Sequence, residues 1–475
     1  MNAGLQAARA ALAGRRAWLV GGAVRDRHLG RDTADVDIVI DGDAGEAARA
    51  VARAGAPAAC FSLSERFGYW RVAARDGSWQ LDVEPLRGAS LAEDLALRDF
   101  TVNAIAEPLA GGDLIDPLGG ISDLRARRLR MAGPASFEED PLRVLRMVRI
   151  AVELGFEPDS DTAREGCARA AALADVSPER VFAELRRIVA ADDARRGIEM
   201  LADVGAGAVV LGELEPMRGV EQNRFHHLDV HGHTLEVLDR TIELTRAAGP
   251  APGGELERAI APHGDAVAAL LAQPLADELT RGQALRWGAL LHDAAKPLTR
   301  GVRAGDGGVT FIGHDARGAE LARSVLARLR ASERLRAHVA ALVRHHLRLG
   351  FLVHEPQPLA RRTVFDYIQA SRPVEADVTL LSIADRLATR GDHAHEAIER
   401  HLAVARGVLA DSLRWHSDGP AAPLVRGDEL ASELGIATGP RIGALLAELA
   451  AAQYAGEIAT RAQALTYARA LEPTI

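Results

Sequence analysis

The 475-residue chain has little cysteine, little lysine and few aromatic side chains. Its two cysteines, Cys60 and Cys167, cannot build a disulfide scaffold or a cysteine-rich zinc site, and they point to a reduced, cytoplasmic setting. Phe, Trp and Tyr together make up 4% of the residues, whereas Ala and Arg abound, which favours helices over an all-β fold. No apolar run approaches the ~20 residues that a bilayer-spanning helix needs, so no membrane partner is expected. The first segment, MNAGLQAARAALAGRR, has neither the apolar core nor the cleavage site of a signal peptide. An excess of positive charge is missing too. The net charge is −9, so a nucleic-acid partner would need a local basic surface. Of the 57 basic residues all but one are arginine, and the exception is Lys296. Such a bias fits a GC-rich genome and makes the retained lysine notable.

What is present is the composition of a folded protein, 48% hydrophobic and 26% charged. The length suggests about three or four domains. Residues 17–40 read as strand, turn, helix, strand, with more short strands near 67–73 and 79–83. From about Ile121 the pattern turns helical and stays so. Gly/Pro clusters at 249–254, 305–308 and 419–423 mark loops. Boundaries near 115, 218 and 395 divide the chain into 1–115, 116–218, 219–395 and 396–475. The expected class is α+β, a small mixed-sheet head followed by helices.

The head segment LVGGAVRDRHLGRDTADVDIVI carries the first chemistry. Gly21-Gly22 follows a strand and opens a helix, where backbone amides can approach a phosphate. Arg25, one turn on, can add charge-assisted bonds. Asp35 and Asp37 alternate along a strand, so both carboxylates share a face and suit Mg²⁺. Asp82, in QLDVEP, is a candidate third carboxylate, and Glu84 on the same face is its rival. Each piece alone is a common turn or solvated strand; the order and spacing make them a set.

That set resembles the signature of class II nucleotidyltransferases of the polymerase-β superfamily, the tRNA CCA-adding enzymes and bacterial poly(A) polymerases. DLALRDFTVNAIA resembles the family's R-R-D-F-T-x-N-A motif, with Leu97 where the first arginine usually stands. DPLGGISDLRARRLR resembles the segment joining head to neck, EDPLRVLRMVRIAVELGF the E-D-x-x-R nucleotide-selecting motif, and VRGDELASELGIATGPRIGALLAEL the C-terminal segment. The resemblance implies nucleotide contacts from Gly21, Gly22, Arg25, Arg98, Asp99 and Asn103. It also implies base choice by Asp140 and Arg143, with Arg146 and Arg149 extending the row. Asp140 before Pro141 could instead be only an N-cap. Leu142, Leu145, Val148 and Val152 are spaced for the buried face, which sets the arginines outside the core. Arg125, Arg127, Arg128 and Arg130 form a local basic cluster for RNA backbone, or a merely solvated surface.

Histidines concentrate in residues 226–393. His233, the His292-Asp293 pair and Asp385 stand in the order H…HD…D, which resembles the HD phosphohydrolase superfamily. Two imidazoles and two carboxylates can hold a divalent metal with positions open for water; with imidazole present, Mn²⁺, Ni²⁺ or Co²⁺ is expected. His314, His345 and His346 are candidates for a second metal or a phosphate, and Lys296 for a phosphate contact.

The expected activity is template-independent transfer of CMP and AMP from CTP and ATP to an RNA 3′ end, foremost the CCA terminus of tRNA. An A-adding enzyme or poly(A) polymerase is the close alternative. An HD phosphohydrolase with a degenerate, nucleotide-sensing head is the alternative of another class. Oligomeric state stays open.

Overall fold

The computed structural model describes residues 3–31, 36–65, 67–246, 249–305 and 307–472. The chain forms two compact units, Met1–Val210 and Leu211–Ile475.

The first unit opens with α1 (Ala3–Ala11), β1 (Ala17–Val20), α2 (Gly22–His28), β2 (Asp37–Ile40), α3 (Ala44–Ala54), β3 (Ala58–Ser64), β4 (Tyr69–Ala74), β5 (Gln80–Pro85), α4 (Leu91–Ala96) and β6 (Ala106–Pro108). The strands make one sheet in the order β3-β4-β5-β2-β1-β6. Only β2 and β5 pair in parallel. Strands β3 and β6 were not expected, whereas the four strands read from the sequence are found within about two residues.

Apolar β-branched residues make the central strands. Ile38, Val39 and Val83 are fully buried, each side chain contributing roughly 1.5–3 kcal/mol by leaving water. Asp43 caps α3 by accepting from the Glu46 amide at 2.8 Å, and Ser90 caps α4 in the same way. Helix α3 covers one sheet face with Ala44, Ala47, Ala48 and Val51. Across the other face, Trp18, Val20 and Val39 pack with Leu91 and Leu95 of α4.

Helices Arg143–Leu154, Pro178–Ala190 and Ala194–Asp203 pack together as a neck. The first of them buries Val144, Leu145, Met147, Val148 and Val152, and ends at Gly155, whose φ of 67° suits a left-handed cap.

The second unit is helical around a core from helices Val230–Thr245, Arg281–Leu291, Glu333–His345, Glu375–Ala388 and Ala394–Asp418. Helices Gly427–Leu434, Pro440–Ala455 and Arg461–Leu471 gather around a separate apolar cluster that includes Leu430, Leu445 and Leu465. A mixed sheet followed by helices makes the chain α+β. Among the described residues no helix is long and apolar enough to cross a membrane.

Candidate active sites

In the head, Asp35 lies outside the described residues, and Asp37 opens β2. The parallel pairing of β2 with β5 sets Asp37 opposite Asp82, so both stand on one face. Glu84 stands two residues further along, opposite Val39, with Arg98 3.7 Å away; burial pushes its carboxyl up. Asp82 is held by Arg71 of β4, whose Nε and Nη2 donate to its two oxygens at 2.7 and 2.8 Å. Arg71 was not singled out from the sequence. The alternation W-R-V on a strand pairing the acidic one was the available signal.

Gly21 has φ 72°, and a Cβ there would lie 3.0 Å from Asp37 Oδ2 and 3.3 Å from Arg98 Nη1. Only glycine lets the backbone come this close. Arg25 donates to Asn103 Oδ1 at 2.6 Å and to Asp26 at 2.8 Å. Asn103 in turn donates to Asp99. Gly22, Arg25, Asp37, Arg71, Asp82, Asn103, Arg146 and Arg149 line a polar cavity of about 300 Å³, joined by Arg187 of the neck, which the sequence reading missed.

The remaining residues of the head and those of the neck differ from expectation in detail. Asp99 is buried and serves as a hub. It accepts from Asn103, from the Phe100 amide and from both Nε and Nη2 of Arg146, at 2.9 and 2.6 Å. Burial disfavours its charge, but the Arg146 guanidinium and these hydrogen bonds outweigh it and hold the carboxyl well below the usual range. Arg149 does not stand outside the core: it is buried, with Nε 2.5 Å from Glu184, because Glu184 supplies a matching charge from the packed helix. The side chains of Asp140 and Arg143 are not paired with each other, although the Arg143 amide donates to the Asp140 carbonyl at 3.0 Å. Asp140 precedes a turn, accepts from the Leu142 amide and meets Arg180 at 2.6 Å. Arg143 donates to the Leu97 carbonyl at 2.8 Å, the Arg98 carbonyl at 3.3 Å and Ser136.

The arginine cluster also divides. Arg125, Arg127 and Arg128 are exposed and Arg130 is half-buried; Arg128 and Arg130 both donate to the buried carboxylate of Asp123, whereas no such bond ties Arg125 or Arg127 to it.

In the second unit, six helices or their ends bring the histidine motif together. His233 Nε2 is 3.0 Å from Asp385 and 3.7 Å from Asp293. Asp293 also has His292 at 3.1 Å, Lys296 at 2.7 Å, His314 at 3.4 Å and His346 at 3.9 Å. Nδ1 of His292, His314 and His346 each faces a backbone carbonyl three residues earlier, which fixes the tautomer and turns Nε2 inward. His292 Nε2 and Asp293 Oδ1 are buried without a hydrogen bond, while Asp293 Oδ2 faces the Lys296 ammonium. Buried imidazole nitrogens and carboxylate oxygens aimed together fit a cation. They form two ligand sets that share Asp293: His233–His292–Asp293 and Asp293–His314–His346.

His345 is corrected. Helix Glu333–His345 ends there, its ring accepts from Arg348, and the next residue, His346, turns into the cluster. His226 was also missed: its ring packs edge-on against His233, and burial pushes it down to about 3. Lys296 donates to Gln222 at 2.6 Å and lies over Phe311.

Against known proteins, residues 17–130 match the Poly A polymerase head domain. Residues 155–217 match a segment described as "Probable RNA and SrmB- binding site of polymerase A", and 266–390 match the HD domain. An A-adding tRNA nucleotidyltransferase of Deinococcus radiodurans is 37% identical over 95% of this chain and 94% of its own length. A CC-adding tRNA nucleotidyltransferase of Thermus thermophilus is 33% identical over 95% and 92%. A multifunctional CCA protein of Pseudomonas fluorescens is 32% identical over 75% and 79%. The solved apo structure of a CCA-adding enzyme has a similar fold, with a TM-score of 0.63 at 19% identity over 98% of this chain and 93% of its own. With its head, its HD domain and these relatives matched along nearly its whole length, the chain belongs to the tRNA nucleotidyltransferase and poly(A) polymerase family.

Proposed function

We propose that the chain is a cytoplasmic enzyme that adds nucleotides from CTP and ATP to tRNA 3′ ends without a template. The observation that carries this is the in-register Asp37–Asp82 pair beside Gly21, Arg25 and Arg98 in a polar cavity. Asp37 and Asp35 would hold Mg²⁺, with Asp82 a third carboxylate tempered by Arg71. Mg²⁺ there would supply positive charge to the attacking hydroxyl and the leaving pyrophosphate. Arg25 and Arg98 grip the triphosphate, and Gly21 and Gly22 leave room for it. Asp140 and Arg143 choose the base by giving up Arg180 and the Leu97 carbonyl for a base edge. Arg125 and Arg127 meet the RNA backbone, and Arg128 and Arg130 add positive charge there while held by Asp123.

Complete CCA addition is the first reading. Addition of the terminal A alone is the second, favoured by the 37% identical A-adding relative. Incubation with tRNA ending before, within and just short of CCA, each nucleotide supplied singly and the products sequenced, decides between them. No extension of any end overturns both.

The HD cluster is proposed as a separate phosphohydrolase centre. His233, His292, Asp293 and Asp385 would hold a transition metal such as Mn²⁺, Ni²⁺ or Co²⁺, which would activate water. His314 and His346 widen the set, and Lys296 meets the substrate phosphate. Release of phosphate from cyclic or linear phosphoesters with each metal tests this; no hydrolysis with any of them leaves the cluster a structural one.

A further inference from the structure

The sheet face that carries Asp37 and Asp82 continues into an apolar patch that the reaction above does not use. Phe61 and Leu63 stand on β3, the outermost strand, 47% and 46% exposed. Large apolar side chains on a free sheet edge invite pairing with other chains and mark a surface with a partner. The register fixes the face. Phe61 is opposite Arg71, Arg71 opposite Asp82, and Asp82 opposite Asp37. Directly opposed residues in a sheet share a face, so these four make one row across four strands. Trp70, one residue from Arg71, points the other way, against Gly45 and Arg49 of α3. Strands lie about 4.8 Å apart, which puts Phe61 about 14 Å from Asp37 at the backbone. Tyr69, two residues before Arg71, stacks with Phe67 at 5.8 Å and extends the aromatic surface.

We propose that Phe61, with Leu63 two residues along the strand at its register shift, is a stacking platform for the unpaired nucleotides just upstream of the 3′ hydroxyl being extended. The proposal rests on the nucleotidyl-transfer reading. A row that begins at the catalytic carboxylates and ends at an exposed ring places the ring where a short single strand leading away from the reacting end would lie. Every base has a π face, so a phenyl ring accepts any of them. That tolerance suits an end whose last bases change with each addition. The groups nearest the metal and the triphosphate are charged, and Phe61 is the apolar end of the same row.

The test uses the full-length protein and a tRNA lacking CCA, with 2-aminopurine as its last unpaired base. For Phe61→Ala the expected result is a KM for RNA raised roughly five-fold or more, with the KM for nucleotide unchanged and the 2-aminopurine quenching of the wild type lost. Phe61→Tyr should restore both, and Leu63→Ser should give a smaller rise. Unchanged RNA KM and quenching in Phe61→Ala, with circular dichroism showing an intact fold, overturn the platform. So does a variant that changes only the sedimenting mass, which would assign the patch to a second copy of the chain. If the wild type extends no RNA at all, the nucleotidyl-transfer reading fails first and the platform with it.

Discussion

Arg71 and Asp82 hold each other by two hydrogen bonds on the face where a cation is expected. The pair keeps the third carboxylate oriented and partly neutralised. Arg71→Ala should therefore lower the Mg²⁺ concentration needed for half-maximal addition, because Asp82 is left without its cationic partner; a Mg²⁺ titration of extension reads this directly. Asp37→Ala, by contrast, should remove addition almost completely while leaving the melting curve in place. Near-normal Mg²⁺-dependent extension would unseat the head as the catalytic centre. For base choice, Arg143→Ala and Asp140→Ala should blur CTP and ATP against UTP and GTP by about ten-fold or more, since a two-pronged edge contact is worth roughly 1–3 kcal/mol of discrimination. Single-turnover addition with each nucleotide measures it. Reduced stability with unchanged selectivity in Asp140→Ala would leave that residue only a structural role, bonded to the Leu142 amide and Arg180.

Helix Arg143–Leu154 is bonded to the loop after α4 through Arg143 to the Leu97 carbonyl and Arg146 to Asp99. Removing one partner of a buried ion pair strands the other charge. Arg146→Ala is expected to cost roughly 2 kcal/mol, less than a fully buried pair because the guanidinium is about a third exposed. Urea unfolding of the full chain tests the value. The central strands were legible because AWLV is apolar and Ile38–Ile40 is an apolar β-branched run, with breaking residues after the first. β3 was not, since AACFSLS mixes small and polar residues and neither of its faces is fully buried. The motif positions could be named from spacing, but their partners could not. Nothing in the run of arginines at 125–130 announces that a buried Asp123 takes two of them. Likewise, His345 and His346 differ by one step of about 100° around a helix, and only the place where the helix ends decides which ring faces Asp293.

At the scale of the molecule, the two proposed centres are chemically distinct: carboxylates in the head, imidazoles and carboxylates in the second unit. The double variant His292→Ala/Asp293→Ala should lose metal-dependent phosphohydrolysis and keep nucleotide addition, assayed side by side. Acid should act on the helical unit through His338. Burial pushes its pKa down to about 4, with Asp377 3.8 Å away only partly opposing. A histidine depressed in the folded state binds its proton more readily when unfolded, so stability present above about pH 6.5 is lost progressively towards pH 4. Thermal melts across that range should fall with pH, and His338→Asn should flatten the fall.

The lone lysine gives this chain an unusual handle. Lys296 carries the sole ε-amine in 475 residues, and it sits buried between Asp293 and Gln222. An amine-specific acylating reagent, which elsewhere decorates a protein at random, has here one side chain to modify besides the terminal amine. The rate of that single acylation, followed by mass spectrometry, becomes a clock for the HD cavity: slow while the ammonium is held, faster in Asp293→Asn, and altered by whatever ion or phosphoester enters.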